Sequence, residues 1–172
     1  MKRTILPVFL IISCSGSGSS AEKSIAASLF CTNYKCVLTG STDGVYRYRI
    51  GNQIITKNTQ LFINSNKNYS NRYSILLGEG SLLYGPNPND CKMVDLFYKF
   101  YGLKDLEIKS DIFAANALVE SDIVDYAKIR DFKSGGIQLV AYIRSSPDPS
   151  MKPEKGRLEF GIMPKTQYPP SK

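Results

Sequence analysis

The residues of this chain able to do chemistry are four cysteines, fifteen carboxylates and one basic-aromatic run, and histidine is absent. Without histidine no Ser-His-Asp or Cys-His pair can form, and no His-ligated metal centre. Asp43, Glu79, Asp90 and Asp95 are the candidate carboxylates for a glycoside-hydrolysing pair, but their spacing selects no pair. Asn89 or Asp90 reads as a helix cap, and Asp95 as a solvated helix face. Gly78-Glu79-Gly80-Ser81 lacks the lysine and the glycine spacing of a phosphate loop and reads as a turn. Cys31 and Cys36 lack the C-x-x-C spacing of thioredoxin-like sites, and zinc would have no second ligand pair. No catalytic residue, metal or cofactor is expected.

The most suggestive surface feature is Tyr46-Arg47-Tyr48-Arg49. On a strand both arginines share one face and both tyrosines the other. Arginine pairs with phosphate or carboxylate, and tyrosine stacks on sugars or bases. With Lys57, Tyr69, Arg72 and Tyr73 nearby in sequence, such a sheet would suit a glycan or polyanion. The plainer alternative is a half-buried strand, with its tyrosines in the core and its arginines in water.

At the N-terminus Lys2 and Arg3 precede residues 5–12, which are apolar or proline. Spanning a bilayer as a helix takes about 20 apolar residues, so this run fits the core of a signal peptide rather than a span. It closes on Ile11-Ile12-Ser13-Cys14. This ending resembles the lipobox of bacterial lipoprotein precursors, with Ile in place of the commoner Leu at the first position. The resemblance covers those four residues and the basic start. It implies acylation of the Cys14 thiol, cleavage before it, and anchorage in the cell envelope. Ser15 after the cysteine, rather than aspartate, implies sorting to an outer membrane where the organism has one. The alternative is an ordinary secretory signal cut near residues 13–17. Residues 15–20 (Ser-Gly-Ser-Gly-Ser-Ser) read as a flexible tether with a reach of about 13 Å.

Export would place Cys31, Cys36 and Cys91 where disulfides persist. A Cys31–Cys36 bridge is favoured. Bridges from Cys91 to either partner remain open, and their longer loops would stabilise more, about 4 kcal/mol against about 2.

The elements that must position these residues follow from patterning. A length of 172 residues, with 42% hydrophobic and 22% charged residues, fits one globular domain. Ser19 and Glu22 match a capping box, and Ile25, Ala26, Leu29 and Phe30 continue at helical spacing, so a helix is predicted over 20–30. Residues 45–50 alternate as a strand. Gly51-Asn52 is read as the hairpin turn, with 53–57 as the return strand. Further strands are expected at 61–63 and 73–77, around an Asn-rich loop at 64–71. A helix from about 89 to 101 puts Met93, Val94, Phe97, Phe100 and Tyr101 on one face and ends at Gly102. A second helix starts at Ser110-Asp111 with Phe113 and Ala117. Ile123, Val124, Ala127 and Phe132 extend helical character to Gly135-Gly136. Residues 137–143 and 157–163 read as paired strands around a proline-rich loop at 145–155.

The expected fold class is therefore α+β, one domain with a mainly antiparallel sheet: N-terminal strands, central helices and a C-terminal hairpin. The expected organisation is a signal peptide at 1–13, an acylated cysteine and tether at 14–20, the domain at 21–163 and a tail at 164–172. Charge is uneven: residues 15–78 carry seven basic and two acidic side chains, 79–132 six and ten, and 133–172 seven and three. The leading expectation is a lipid-anchored extracytoplasmic binding or structural module without catalytic activity. Its expected partners are the membrane, through the N-terminal lipid, and an anionic or glycan polymer or envelope protein, not nucleic acid. The alternatives are a cell-wall hydrolase using carboxylates or Cys91, and a soluble secreted interaction protein.

Overall fold

The computed structural model describes residues 24–51, 55–64, 72–105, 108–109, 127–146 and 156–167. The signal, lipobox and tether positions fall outside these residues. So do the Ser19–Glu22 capping box, most of the Asn-rich loop, the helix predicted from Ser110, Ile123 and Val124, the proline-rich loop at 147–155 and the end of the tail.

Seven strands make one antiparallel sheet in the order β1-β2-β3-β4-β7-β6-β5. They are β1 (Cys36–Thr42), β2 (Val45–Ile50), β3 (Gln60–Asn64), β4 (Arg72–Leu76), β5 (Ala127–Ser134), β6 (Ile137–Ser146) and β7 (Arg157–Pro164). Among the described residues α1 (Leu29–Tyr34), α2 (Ser81–Tyr84) and α3 (Pro88–Phe100) accompany them, and Asp105, Ile108 and Lys109 are helical as well. The fold is α+β, and its last two strands pair as an antiparallel hairpin. Two meanders, β1 to β4 and β5 to β7, meet where β4 pairs with β7.

The sequence of α3 accounts for both its ends. Asn87 is the N-cap, Pro88 fills the first turn, and Asp90 completes a capping box. At the far end Gly102 takes φ 94°. Its N–H donates to the Lys99 carbonyl at 3.0 Å, and Leu103 N–H donates to the Tyr98 carbonyl at 3.1 Å. This is a Schellman stop, with Leu103 buried behind it. The helix lays Met93, Val94, Phe97 and Tyr98 against the sheet, all fully buried. Tyr98 meets Phe160 of β7, with ring centroids 6.3 Å apart, and Phe97 meets Phe30 of α1 at 6.2 Å. Leu61, Ile75, Ile143, Leu158 and Ile162 form the sheet side of this core.

Four expectations need correction. In the described part of the helix predicted over 20–30, a 3-10 turn covers Ile25–Ala27, and Ser28, accepting from Phe30 N–H, caps α1. Leu29 consequently points to solvent. The hairpin turn is Asp43-Gly44, joining β1 to β2, with φ of 50° and 80°. Positive φ at both central residues is what a type I′ turn demands. Of the return strand expected at 53–57, residues 55–57 form no strand, and 52–54 lie outside the described residues; β2 pairs onward with β3. The cap of α3 is Asn87, not Asn89 or Asp90, because Pro88 already sits inside the helix. Finally, Ala127 and Phe132 belong to strand β5, not to a helix. Gly135 and Gly136, at φ 55° and 84°, fold β5 back onto β6.

Candidate binding surface

β2 lies between β1 and β3, and register fixes what surrounds each of its side chains. Tyr46, Tyr48 and Ile50 share the face of Leu61 and Ile63, which is the face α3 covers. Burial along that face is graded: Ile50 is buried, Tyr48 half-buried and Tyr46 exposed. Arg47 and Arg49 occupy the opposite face and are both exposed. Arg47 stands opposite Gly40 on one side and Phe62 on the other; Arg49 stands opposite Val37 and Gln60. None of these four neighbours is acidic. Strands β1 to β4 contain no aspartate or glutamate, and Asp43 is the one acid between residues 36 and 78. The two guanidinium groups thus share a face on which no carboxylate is set opposite them. Lys57 is exposed in the turn before β3. Tyr73 turns inward, stacking on Tyr101 with ring centroids 5.1 Å apart. Tyr69 and the Arg72 side chain lie outside the described residues.

The cysteines separate into two environments. Cys31 in α1 and Cys36 at the start of β1 are joined, with Cα atoms 4.8 Å apart. Cys91, in the first turn of α3, is a free thiol. Burial, then the neighbouring Asp90 charge, pushes its pKa above the ordinary value, against a backbone hydrogen bond that lowers it. A nucleophilic thiol needs the opposite shift.

The candidate carboxylates do not converge. Asp43 sits in the β1–β2 turn, and Glu79 is exposed in the turn before α2. Asp95 pairs with Lys99 one helical turn on, at 2.8 Å. Asp90 is fully buried and fully used. Its oxygens accept from Thr56 N–H at 2.9 Å, from Thr56 Oγ1 at 2.5 Å and from Asn87 N–H at 3.1 Å. It ties the 55–59 segment to the head of α3. Thr59 extends the network, donating to the Thr56 carbonyl at 2.7 Å and accepting from Gly78 N–H at 3.2 Å. Arg157 closes it, its Nε donating to the Leu77 carbonyl at 2.7 Å and an Nη to the Asn58 carbonyl at 2.6 Å. Burial pulls the Arg157 pKa down, with the Glu79 charge opposing.

Sequence reasoning missed β1. The strand is exposed on both faces for nearly its whole length, with Val37 and Leu38 among the exposed large apolar residues, as is Leu29 of α1. The Asp43-Gly44 pair was the signal that would have placed it. No protein-family model matches this chain, and neither does any curated protein or solved structure.

Proposed function

We propose that this protein is a lipid-anchored extracytoplasmic module that binds or organises components of the cell envelope and performs no catalysis. One observation carries the reading: the basic start at Lys2-Arg3, the short apolar core and Ile11-Ile12-Ser13-Cys14. Stable anchorage takes more than one acyl chain, and a lipoprotein cysteine carries two or three. The tether then leaves the folded domain free to turn above the membrane. A bonded Cys31–Cys36 pair suits a compartment outside the reducing cytoplasm. The exposed arginines of β2 offer the domain a contact with anionic envelope material.

The test is Cys14→Ser in the native host. The wild-type protein should partition into detergent on phase separation, and the variant should move to the aqueous phase. The mass of the mature N-terminal peptide should show Cys14 first and acylated. Unchanged partitioning, or an unmodified N-terminus beyond Cys14, overturns the anchor and the address inferred from it.

A further inference from the structure

We infer that the β1–β2 margin of the sheet docks on an anionic phospholipid surface, with Arg47 and Arg49 against headgroup phosphates and Leu29, Val37 and Leu38 at the interface. This deepens the anchored reading and rests on it for the orientation of the domain.

Three observations meet at this margin. β1 is an edge strand, and the apolar side chains around it are turned to solvent: Leu29 is 79% exposed, Leu38 52% and Val37 48%. Arg47 and Arg49 stand one strand in, with Gly40, Phe62, Val37 and Gln60 as their cross-strand neighbours; Val37 shares their face and Leu38, opposite Tyr48, lies on the other, so the margin meets the surface edge-on. Phosphates supply the missing counter-charge. α1 is fastened to this margin as well. Ser24 is the first described residue, and the Cys31–Cys36 bond fastens α1 to the first residue of β1. The tether read from the sequence at 15–20 reaches about 13 Å. That exceeds one Debye length at physiological salt, so the leaflet's charge acts on the domain at the close approach that docking makes, and the tether permits that approach.

Charge distribution favours the same orientation. Residues 15–78 are rich in bases, whereas 79–132 carry ten acids against six bases. An anionic surface therefore attracts the β1–β2 side more than the rest of the chain, where residues 79–172 carry thirteen basic and thirteen acidic side chains. A second copy adding a strand to β1 fits less well. The β1–β2 register shifts between Leu38 and Gly40, and such an irregularity bends an edge away from straight strand addition.

The protein has no tryptophan, which makes a direct test available. Leu38→Trp places a single reporter at the margin. Ile137→Trp places one on β6, beside the opposite edge strand, where Ile137 is 57% exposed. Each acylated full-length variant is reconstituted in brominated phosphatidylcholine, with or without brominated phosphatidylglycerol. Leu38→Trp should be quenched only when phosphatidylglycerol is present, and high salt should relieve the quenching. Ile137→Trp should stay unquenched. A near-surface arginine multiplies membrane partitioning about fivefold, so Arg47→Ala with Arg49→Ala should lower the docked-to-free ratio about 25-fold. Val37→Trp, on the other face of β1, gives the same readout should Leu38→Trp disturb the fold. Equal quenching of both reporters, or quenching indifferent to phosphatidylglycerol, overturns the inference. So does a shift of Leu38→Trp emission by a soluble anionic polysaccharide that anionic vesicles do not reproduce. Should the N-terminal mass show no acyl chain, the anchor fails by itself. The same quenching, read on unacylated protein added to phosphatidylglycerol vesicles, then decides docking.

Discussion

Asp90 shows how one side chain can be read correctly in type and wrongly in role. Its position before an apolar helical run marks it as a capping residue, and it does serve the capping box of α3. Its grip on Thr56 was invisible, because that contact joins residues 34 apart. Asp90→Ala would leave Thr56 N–H, Thr56 Oγ1 and Asn87 N–H without their acceptor inside the protein. The expected loss is about 3 kcal/mol, since unsatisfied buried donors cost more than a hydrogen bond contributes. Asp95→Ala, which removes a partner of the exposed Lys99, should cost about 0.5 kcal/mol. Urea unfolding of the two variants checks the contrast, and equal losses would contradict it. Arg47 and Arg49 were legible as an exposed pair because strand alternation fixes their side of the sheet. Which strands flank them was not legible, because register is a property of the assembled sheet.

At the scale of the element, strands with one buried face declared themselves and edge strands did not. β3, β4, β6 and β7 carry Leu61, Ile75, Ile143 and Phe160 into the core, and their apolar content marks them in the chain. β1 and β5 are the two edges. β1 is small and polar after Leu38, and β5 interleaves Lys128, Arg130, Asp131 and Lys133 with its apolar residues. Charged and irregular edges discourage pairing with foreign chains, and the same device blurs the alternation by which a strand is recognised. The β6–β7 ladder holds a sharper dependence. Gly161 faces Tyr142, and a Cβ at Gly161 would lie 2.1 Å from Tyr142 Cζ. The Tyr142 hydroxyl donates to Glu159 at 3.2 Å, which helps hold the ring over the glycine. Gly161→Ala should destabilise by about 2–3 kcal/mol. Adding Tyr142→Ala should cost less than the sum of the two single losses, because the ring and the new methyl group compete for one space. Strict additivity in a double-mutant cycle would refute that coupling.

For the molecule as a whole, three titrating groups lean the same way. Burial, with Asp95 adding, raises the Tyr34 pKa, and burial with Asp90 raises that of Cys91. Hydrogen bonds to Asp95 and Asp105 raise that of Lys99. In each case the folded chain holds its proton more tightly than the unfolded one. Their stabilisation is complete below the unfolded values, the lowest being 9.0 for the thiol, and is lost as pH rises through the folded ones. The urea midpoint should therefore fall above about pH 9, and Cys91→Ala should flatten part of that fall. A midpoint unchanged into the alkaline range would contradict the shifts. The α+β class was legible from the ordering of strands and helices, but the strand order was not, because nothing local announces that β4 will neighbour β7. That junction bears on biosynthesis. β1 to β4 and β5 to β6 can each form from adjacent segments as the chain is made, yet both groups keep an open side until β7 slides between them. A polypeptide emerging from its N-terminus therefore exposes two incomplete half-sheets until its seventh strand arrives, and any translation stop before Arg157 strands them permanently apart.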